Sequence, residues 1–155
     1  MENNKESIVR IRPLWKNRGG GWNRVLPTKA DLNLQLNTIL HTEMVINLGS
    51  SMVFDYIVHE KPCAYINYDV PNKVRNSWSV DKIYKYVHFR SMPSKKAVLW
   101  INQSSDIERH IANVLSNTTF DYSLEVTKEW FSTINKLPAE KASQRIWETI
   151  HEILE

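Results

Sequence analysis

Residues 43–69, EMVINLGSSMVFDYIVHEKPCAYINYD, indicate the fold class of this chain. They begin with an apolar run rich in β-branched residues at 44–48, which a Gly-Ser-Ser turn at 49–51 interrupts. Apolar residues then recur at helical spacing over 52–60, and a Lys-Pro pair separates this helix from a second apolar run at 63–68. Strand, tight turn, helix and strand form a βαβ unit, which predicts a parallel sheet with right-handed crossovers.

The turn Gly49-Ser50-Ser51 is the first candidate binding site. In a βαβ unit it lies at the carboxyl end of a strand and at the N-terminus of a helix. Free backbone N–H groups and the positive end of the helix dipole meet at such a point and favour an anion. Two serine hydroxyls add donors with little bulk. We therefore predict that this turn binds phosphate.

The segment INLGSSMVFDYIVHEKPCAYINYD resembles the nucleotide-binding segment of GT-B glycosyltransferases. It is most similar to bacterial surface-polysaccharide transferases and to enzymes that move glycerol phosphate from CDP-glycerol. The likeness is strongest over residues 31–69. It implies that Gly49, Ser50 and Ser51 hold the diphosphate of the donor, and that Asp55 holds the ribose hydroxyls. Many relatives have the longer Glu at the position of this Asp.

Two earlier positions extend the resemblance. A strand expected over residues 7–12 ends in Arg12-Pro13, which matches the first half of an Arg-Pro-His-Pro pattern near the donor site. The resemblance therefore implies a contact from Arg12 to the diphosphate. It also implies that backbone groups of Leu26 and Pro27 hold the nucleobase.

The expected architecture is α/β: a Rossmann-like parallel sheet flanked by helices, with a helical C-terminal tail. With 155 residues, 42% of them hydrophobic, residues 1–155 are expected to form a single domain. The resemblance implies that this domain binds a nucleotide sugar. The resemblance implies the C-terminal half of a two-domain enzyme, whose N-terminal domain brings the general base and the acceptor. We therefore expect a fragment that binds donor without turnover. The predicted neighbouring strands are residues 9–12, 25–26, 44–48, 64–68 and 98–101.

Capping signals predict the helices. The first begins at a capping box, Thr28 to Asp31, after a glycine-containing loop at 16–23, and three others begin near Ser105, Ser123 and Pro138. The apolar residues expected to face the core are Leu32, Leu36, Ile39 and Leu40 in the first helix, Ile107, Ile111, Val114 and Leu115 in the second, Val126, Trp130 and Ile134 in the third, and Ile146, Trp147, Ile150 and Leu154 in the last.

The charge is unevenly distributed, although the net charge is only +3. Residues 71–96 carry seven Lys or Arg against Asp81 alone, interleaved with aromatic residues. Such a segment favours an anionic donor or contact with a membrane surface. No nucleic-acid-binding motif accompanies it, so nucleic acid is not an expected partner. No signal peptide or apolar span is evident, and Cys63 is the single cysteine, which together favour a cytoplasmic location, peripheral to the inner face of the membrane.

The sequence contains no recognisable motif for nucleophilic catalysis or for metal binding. There is no nucleophile–base pair at a recognisable spacing, and the histidines and Cys63 do not form a metal-ligand pattern. We therefore assign no catalytic residue and expect neither metal nor cofactor, since the nucleotide-activated donor would be a substrate. Two alternatives remain open: one half of a nucleotide-sugar epimerase, and a non-catalytic α/β nucleotide- or phosphate-binding or interaction module.

Overall fold

The structure, a computed structural model, describes residues 9–17, 19–20, 24–118 and 122–155. Its internal contacts divide the chain into two compact units, Met1–His41 and Thr42–Glu155. The expectation of a single domain over residues 1–155 stays a prediction.

The first unit contains a two-stranded antiparallel ribbon. Strand β1, Lys16–Asn17, pairs with β2, Val25–Leu26. The predicted strand at 25–26 is therefore confirmed, but its place in the parallel sheet is wrong, and Lys16–Asn17 is not part of a loop. Residues 9–12 form no strand, because their apolar side chains remain exposed and no strand among the described residues pairs with them. The remainder of that predicted strand, residues 7 and 8, lies outside the described residues.

Helix α1, Lys29–Leu40, begins at the predicted capping box. The Asp31 N–H donates to Thr28 Oγ1 at 3.2 Å, and the Thr28 N–H donates to Asp31 Oδ2 at 2.8 Å. Asp31 also accepts the N–H of Leu14, so one carboxylate joins the helix start to the preceding segment. Of the four apolar residues expected to face a core, only Ile39 is buried.

The second unit is built on a three-stranded parallel sheet. Its strands are β3, Val45–Asn47, β4, Cys63–Ile66, and β5, Leu99–Ile101, in the order β3-β4-β5. Helix α2, Met52–Ile57, connects β3 to β4. The βαβ unit predicted from residues 43–69 is therefore confirmed, and residues 98–101 supply the third strand as expected.

The connection from β4 to β5 contains only short elements. They are α3, Val80–Ile83, α4, Val87–Arg90, and a 3₁₀ turn, Lys95–Ala97. After β5 the chain forms three longer helices with a second 3₁₀ turn, Ala139–Lys141, before the last of them. These helices are α5, Asp106–Leu115, α6, Leu124–Ile134, and α7, Ala142–Leu154.

Alternating side chains along the strands bury both faces of the sheet. On the first face, Cys63 and Tyr65 pack with Val53 of α2, Phe89 of α4 and Trp130 of α6. On the second face, a smaller cluster forms against α5, and its residues are Ala64, Leu99, Ile101, Ile107 and Val114. The result is a sheet with helices on both faces, and the fully buried Trp130 confirms the core role expected for it.

The three remaining helix predictions are partly wrong. Ser105 precedes α5 as expected but makes no side-chain capping bond, whereas Ser123 Oγ does accept the N–H of Val126 at the start of α6. No residue of α7 is buried, so its apolar residues do not face a core. An amphipathic pattern determines which side of a helix is apolar, but it does not supply a packing partner. The other predicted core residues that are exposed are Ile111, Leu115 and Ile134.

No helix in the described part of the chain combines the length and the apolar character needed to cross a membrane.

Candidate functional site

The predicted phosphate-binding turn lies where the sequence places it, after β3 and before α2. Gly49 has a φ of +58°, a conformation that glycine adopts without strain. The Ser50 N–H donates to Asn47 Oδ1 at 2.9 Å, and the Ser50 carbonyl accepts Tyr65 Oη at 2.8 Å. The turn is thus attached to the ends of β3 and β4.

Most of the amide groups that follow the turn already have acceptors within the chain. The Met52 N–H donates to Ser50 Oγ at 3.2 Å, and the N–H groups of Val53 and Phe54 donate to the carbonyls of Ser50 and Ser51. Ser50 therefore stabilises the turn itself. Ser51, in contrast, is exposed and makes no side-chain capping bond. Between the two serines, Ser51 is better placed to meet a ligand.

One side of Gly49 is closed by the segment between β4 and β5. A Cβ added at Gly49 would lie 2.4 Å from Ile83 Cγ2, 3.2 Å from Tyr84 Cε1 and 3.4 Å from Phe89 Cζ. The Tyr84 hydroxyl also donates to the carbonyl of Ile66 at the end of β4. A ligand would therefore approach the turn from the side of Ser51.

Asp55 lies in the first turn of α2, four residues after Ser51, and is exposed. Residues four apart share one side of a helix. Ser51 and Asp55 are therefore presented together, as the predicted pair of diphosphate and ribose ligands requires.

The other predicted ligands belong to the first unit. Arg12 is exposed in the segment before β1, Leu26 ends β2 and is exposed, and Pro27 precedes the cap of α1. Their contacts with diphosphate and nucleobase stay predictions.

A cavity of about 670 Å³ lies at the carboxyl ends of β4 and β5. Asn67 follows β4, Asn102 follows β5, and Asn67 Nδ2 donates to Asn102 Oδ1 at 2.8 Å. The connection after β4 packs on the first face of the sheet, whereas α5 after β5 packs on the second. A crevice forms where neighbouring strands continue to opposite faces, and α/β proteins bind ligands at such points.

The charged groups around this cavity are mostly positive. Lys85, Lys95 and Arg109 contribute to the lining, together with the single acid Asp81. Lys85 pairs with Asp81 at 2.6 Å, and hydrogen bonds from Lys85 and Ser79 lower the pKa of Asp81 to about 2. This carboxylate is therefore ionised at neutral pH, and the lining keeps a net positive charge.

Aromatic and imidazole rings also contribute to the lining. Tyr84 and Trp100 pack edge to face, with ring centroids 5.0 Å apart. His110 lies on α5, and both of its ring nitrogens are shielded from solvent and have no hydrogen-bond partner among the described residues. His110 therefore borders the cavity without presenting its nitrogens to it.

Part of the cavity lining lies in the basic segment 71–96, which the sequence indicated as favourable to an anionic ligand, whereas the lining residues at the strand ends and on α5 were not predicted. A weak signal existed, because Asn67 and Asn102 are polar residues at the carboxyl ends of two predicted strands. His110 gave no comparable signal, since it stands between Ile107 and Val114 on the apolar side of α5 and resembles a core residue.

Among the described residues, no three His, Cys, Asp or Glu side chains are grouped as metal ligands. In comparisons with protein-family models, with curated proteins and with solved structures, the chain has no match.

Proposed function

We propose that this chain is the donor-binding unit of a transferase with a Rossmann-like, GT-B arrangement. The donor is a nucleotide-activated sugar or polyol phosphate used in surface polysaccharide synthesis. The observation that carries the proposal is the Gly49–Ser51 turn at the carboxyl end of a parallel strand, directly before a helix that presents Asp55. Binding at the carboxyl ends of strands is the general rule for sheets of this kind.

In this proposal the chain binds and orients the leaving group. The Ser51 hydroxyl donates to a phosphate oxygen, and the Asp55 carboxylate accepts both ribose hydroxyls as charge-assisted bonds. Donors that meet the diphosphate stabilise the charge that develops as the bond to the transferred group breaks. The general base and the acceptor come from a separate domain.

Titration calorimetry with nucleoside diphosphates tests this proposal. Asp55→Asn keeps the shape of the side chain and removes its charge, so affinity should fall about tenfold or more. The loss should be smaller for an analogue that lacks both ribose hydroxyls. The matched control is Glu60→Gln, which removes a carboxylate beyond the other end of α2, at an exposed ion pair with Lys128.

Alanine variants of Ser50 and Ser51 distinguish a residue that stabilises the turn from one that binds the ligand. Ser51→Ala should weaken diphosphate binding while the melting temperature stays the same, since Ser51 makes no capping bond. Ser50→Ala should lower the melting temperature, because it leaves the Met52 N–H without its acceptor. Unchanged affinity in both Ser51→Ala and Asp55→Asn would refute the proposal.

We also propose that residues 71–96 contact an anionic membrane surface. Val74 is fully exposed and Trp78 is partly exposed, next to the cations Lys73 and Arg75. Apolar side chains between cations are typical of segments that rest on lipid headgroups. The chain should sediment with vesicles that contain phosphatidylserine, and Val74→Asp should reduce this binding severalfold. Equal sedimentation of the variant would contradict this role.

A further inference from the structure

The cavity at the carboxyl ends of β4 and β5 has no role in the proposed function. Tyr84 borders both places, since its ring approaches Gly49 and it also contributes to the cavity lining. The cavity has a volume of about 670 Å³, which lies within the range of small-molecule sites. It is therefore large enough for a ligand of its own.

The lining favours an anion with several acceptor oxygens. Lys95 carries a positive charge on the turn that leads into β5, and Arg109 uses one guanidinium nitrogen for Asp106 at 2.9 Å, which leaves other donors in its fork. The amides of Asn67 and Asn102 add further polar groups at the strand ends. A phosphate group, with three acceptor oxygens, matches such a set of converging donors.

The lining also favours a ring. Trp100 and Tyr84 contribute aromatic surface, and a sugar or base packs well on such surface.

We propose that this cavity binds a phosphate monoester carried on a ring. The phosphate meets Lys95 and Arg109, and the ring packs on Trp100. A sugar phosphate and a nucleoside monophosphate share this chemistry. The site is independent of the one proposed for the donor, and each can fail without the other.

The test is titration of the full chain, by calorimetry and by amide chemical shifts, with four probes. These are a hexose phosphate, a nucleoside monophosphate, glycerol phosphate and inorganic phosphate. The two ring compounds should bind about tenfold tighter than the two compounds without a ring, and the tighter ring compound identifies the source. Equal affinity for all four probes would overturn the proposal.

Neighbouring lysines provide a matched pair of variants. Lys95 lines the cavity, whereas Lys96 is exposed beside it and is not part of the lining. Lys95→Gln should weaken hexose phosphate binding about fivefold, with a smaller difference at high salt, and Lys96→Gln should leave it unchanged. Ser51→Ala should also leave it unchanged, which separates this site from the donor site. Equal effects of the two lysine variants would overturn the proposal.

Discussion

Gly49→Ala tests whether the turn after β3 is as tightly enclosed as the structure indicates. At a φ of +58° an alanine carries a conformational cost of about 1–2 kcal/mol. The new Cβ would also lie 2.4 Å from Ile83 Cγ2 and 3.2 Å from Tyr84 Cε1, and overpacking of this kind costs about 1–3 kcal/mol. Together the two effects should destabilise the second unit by about 2–5 kcal/mol.

Urea denaturation followed by tryptophan fluorescence measures this change directly. In thermal unfolding the melting temperature should fall by about 4–20 °C, from the usual 2–4 °C per kcal/mol for a chain of this size. Gly19→Ala is the matched control, since Gly19 also has a positive φ, +78°, but open space around an added Cβ. That control should show the conformational cost alone, about 1–2 kcal/mol.

A double variant separates the steric contribution. In Gly49→Ala/Ile83→Ala the closest contact is gone. The loss of stability in this double variant should therefore be smaller than the sum of the losses in the two single variants, by about 1 kcal/mol or more. If Gly49→Ala cost no more than Gly19→Ala, the enclosure of Gly49 inferred from the structure would be wrong.

Two further outcomes are expected. Tyr65→Phe should cost about 1–2 kcal/mol in urea denaturation, because it removes the buried hydroxyl that donates to the Ser50 carbonyl; an unchanged midpoint would mean that water replaces this bond. Asp31 should make the stability of the chain depend on pH in the acid range. Desolvation raises the pKa of Asp31, but hydrogen bonds from Thr28 and Leu14 have the larger effect, so the pKa is lowered in the folded state. Its contribution is present above the unfolded pKa near 3.8 and is lost as pH falls through the lower folded value. Asp31→Asn should flatten that dependence in melting curves recorded between about pH 2 and 6.

The parts of the fold that sequence predicts best are those with local signals. Residues 43–69 combine two apolar runs, a Gly-Ser-Ser turn and a helical pattern in one continuous segment, and the βαβ unit forms there. The antiparallel ribbon of the first unit lacks such signals. β1 is a pair of residues, Lys16–Asn17, whose strand character depends on pairing with β2 rather than on its own composition.

The cavity could not be predicted from sequence, because it also depends on contacts between residues that are distant along the chain. Asn67 and Asn102 are 35 positions apart and meet only because β4 and β5 are neighbours in the sheet. The enclosure of Gly49 by Ile83 and Tyr84 likewise depends on how the connection between β4 and β5 packs. By contrast, Ser51 and Asp55 share one side of a helix because they are four residues apart, while their roles as ligands are implied by the resemblance.

The single thiol of the chain lies in the middle strand of the parallel sheet, so its reactivity can be used to measure transient opening of that sheet. Burial raises the pKa of Cys63 to about 12, and Asn47 Nδ2 donates to its Sγ at 3.3 Å. The thiolate is the form that alkylating reagents attack, so at pH 8 the folded sheet should be nearly inert to them. The rate at which iodoacetamide labels Cys63 therefore measures how often β4 separates from its neighbours. Its dependence on urea concentration distinguishes local opening of the sheet from complete unfolding of the chain.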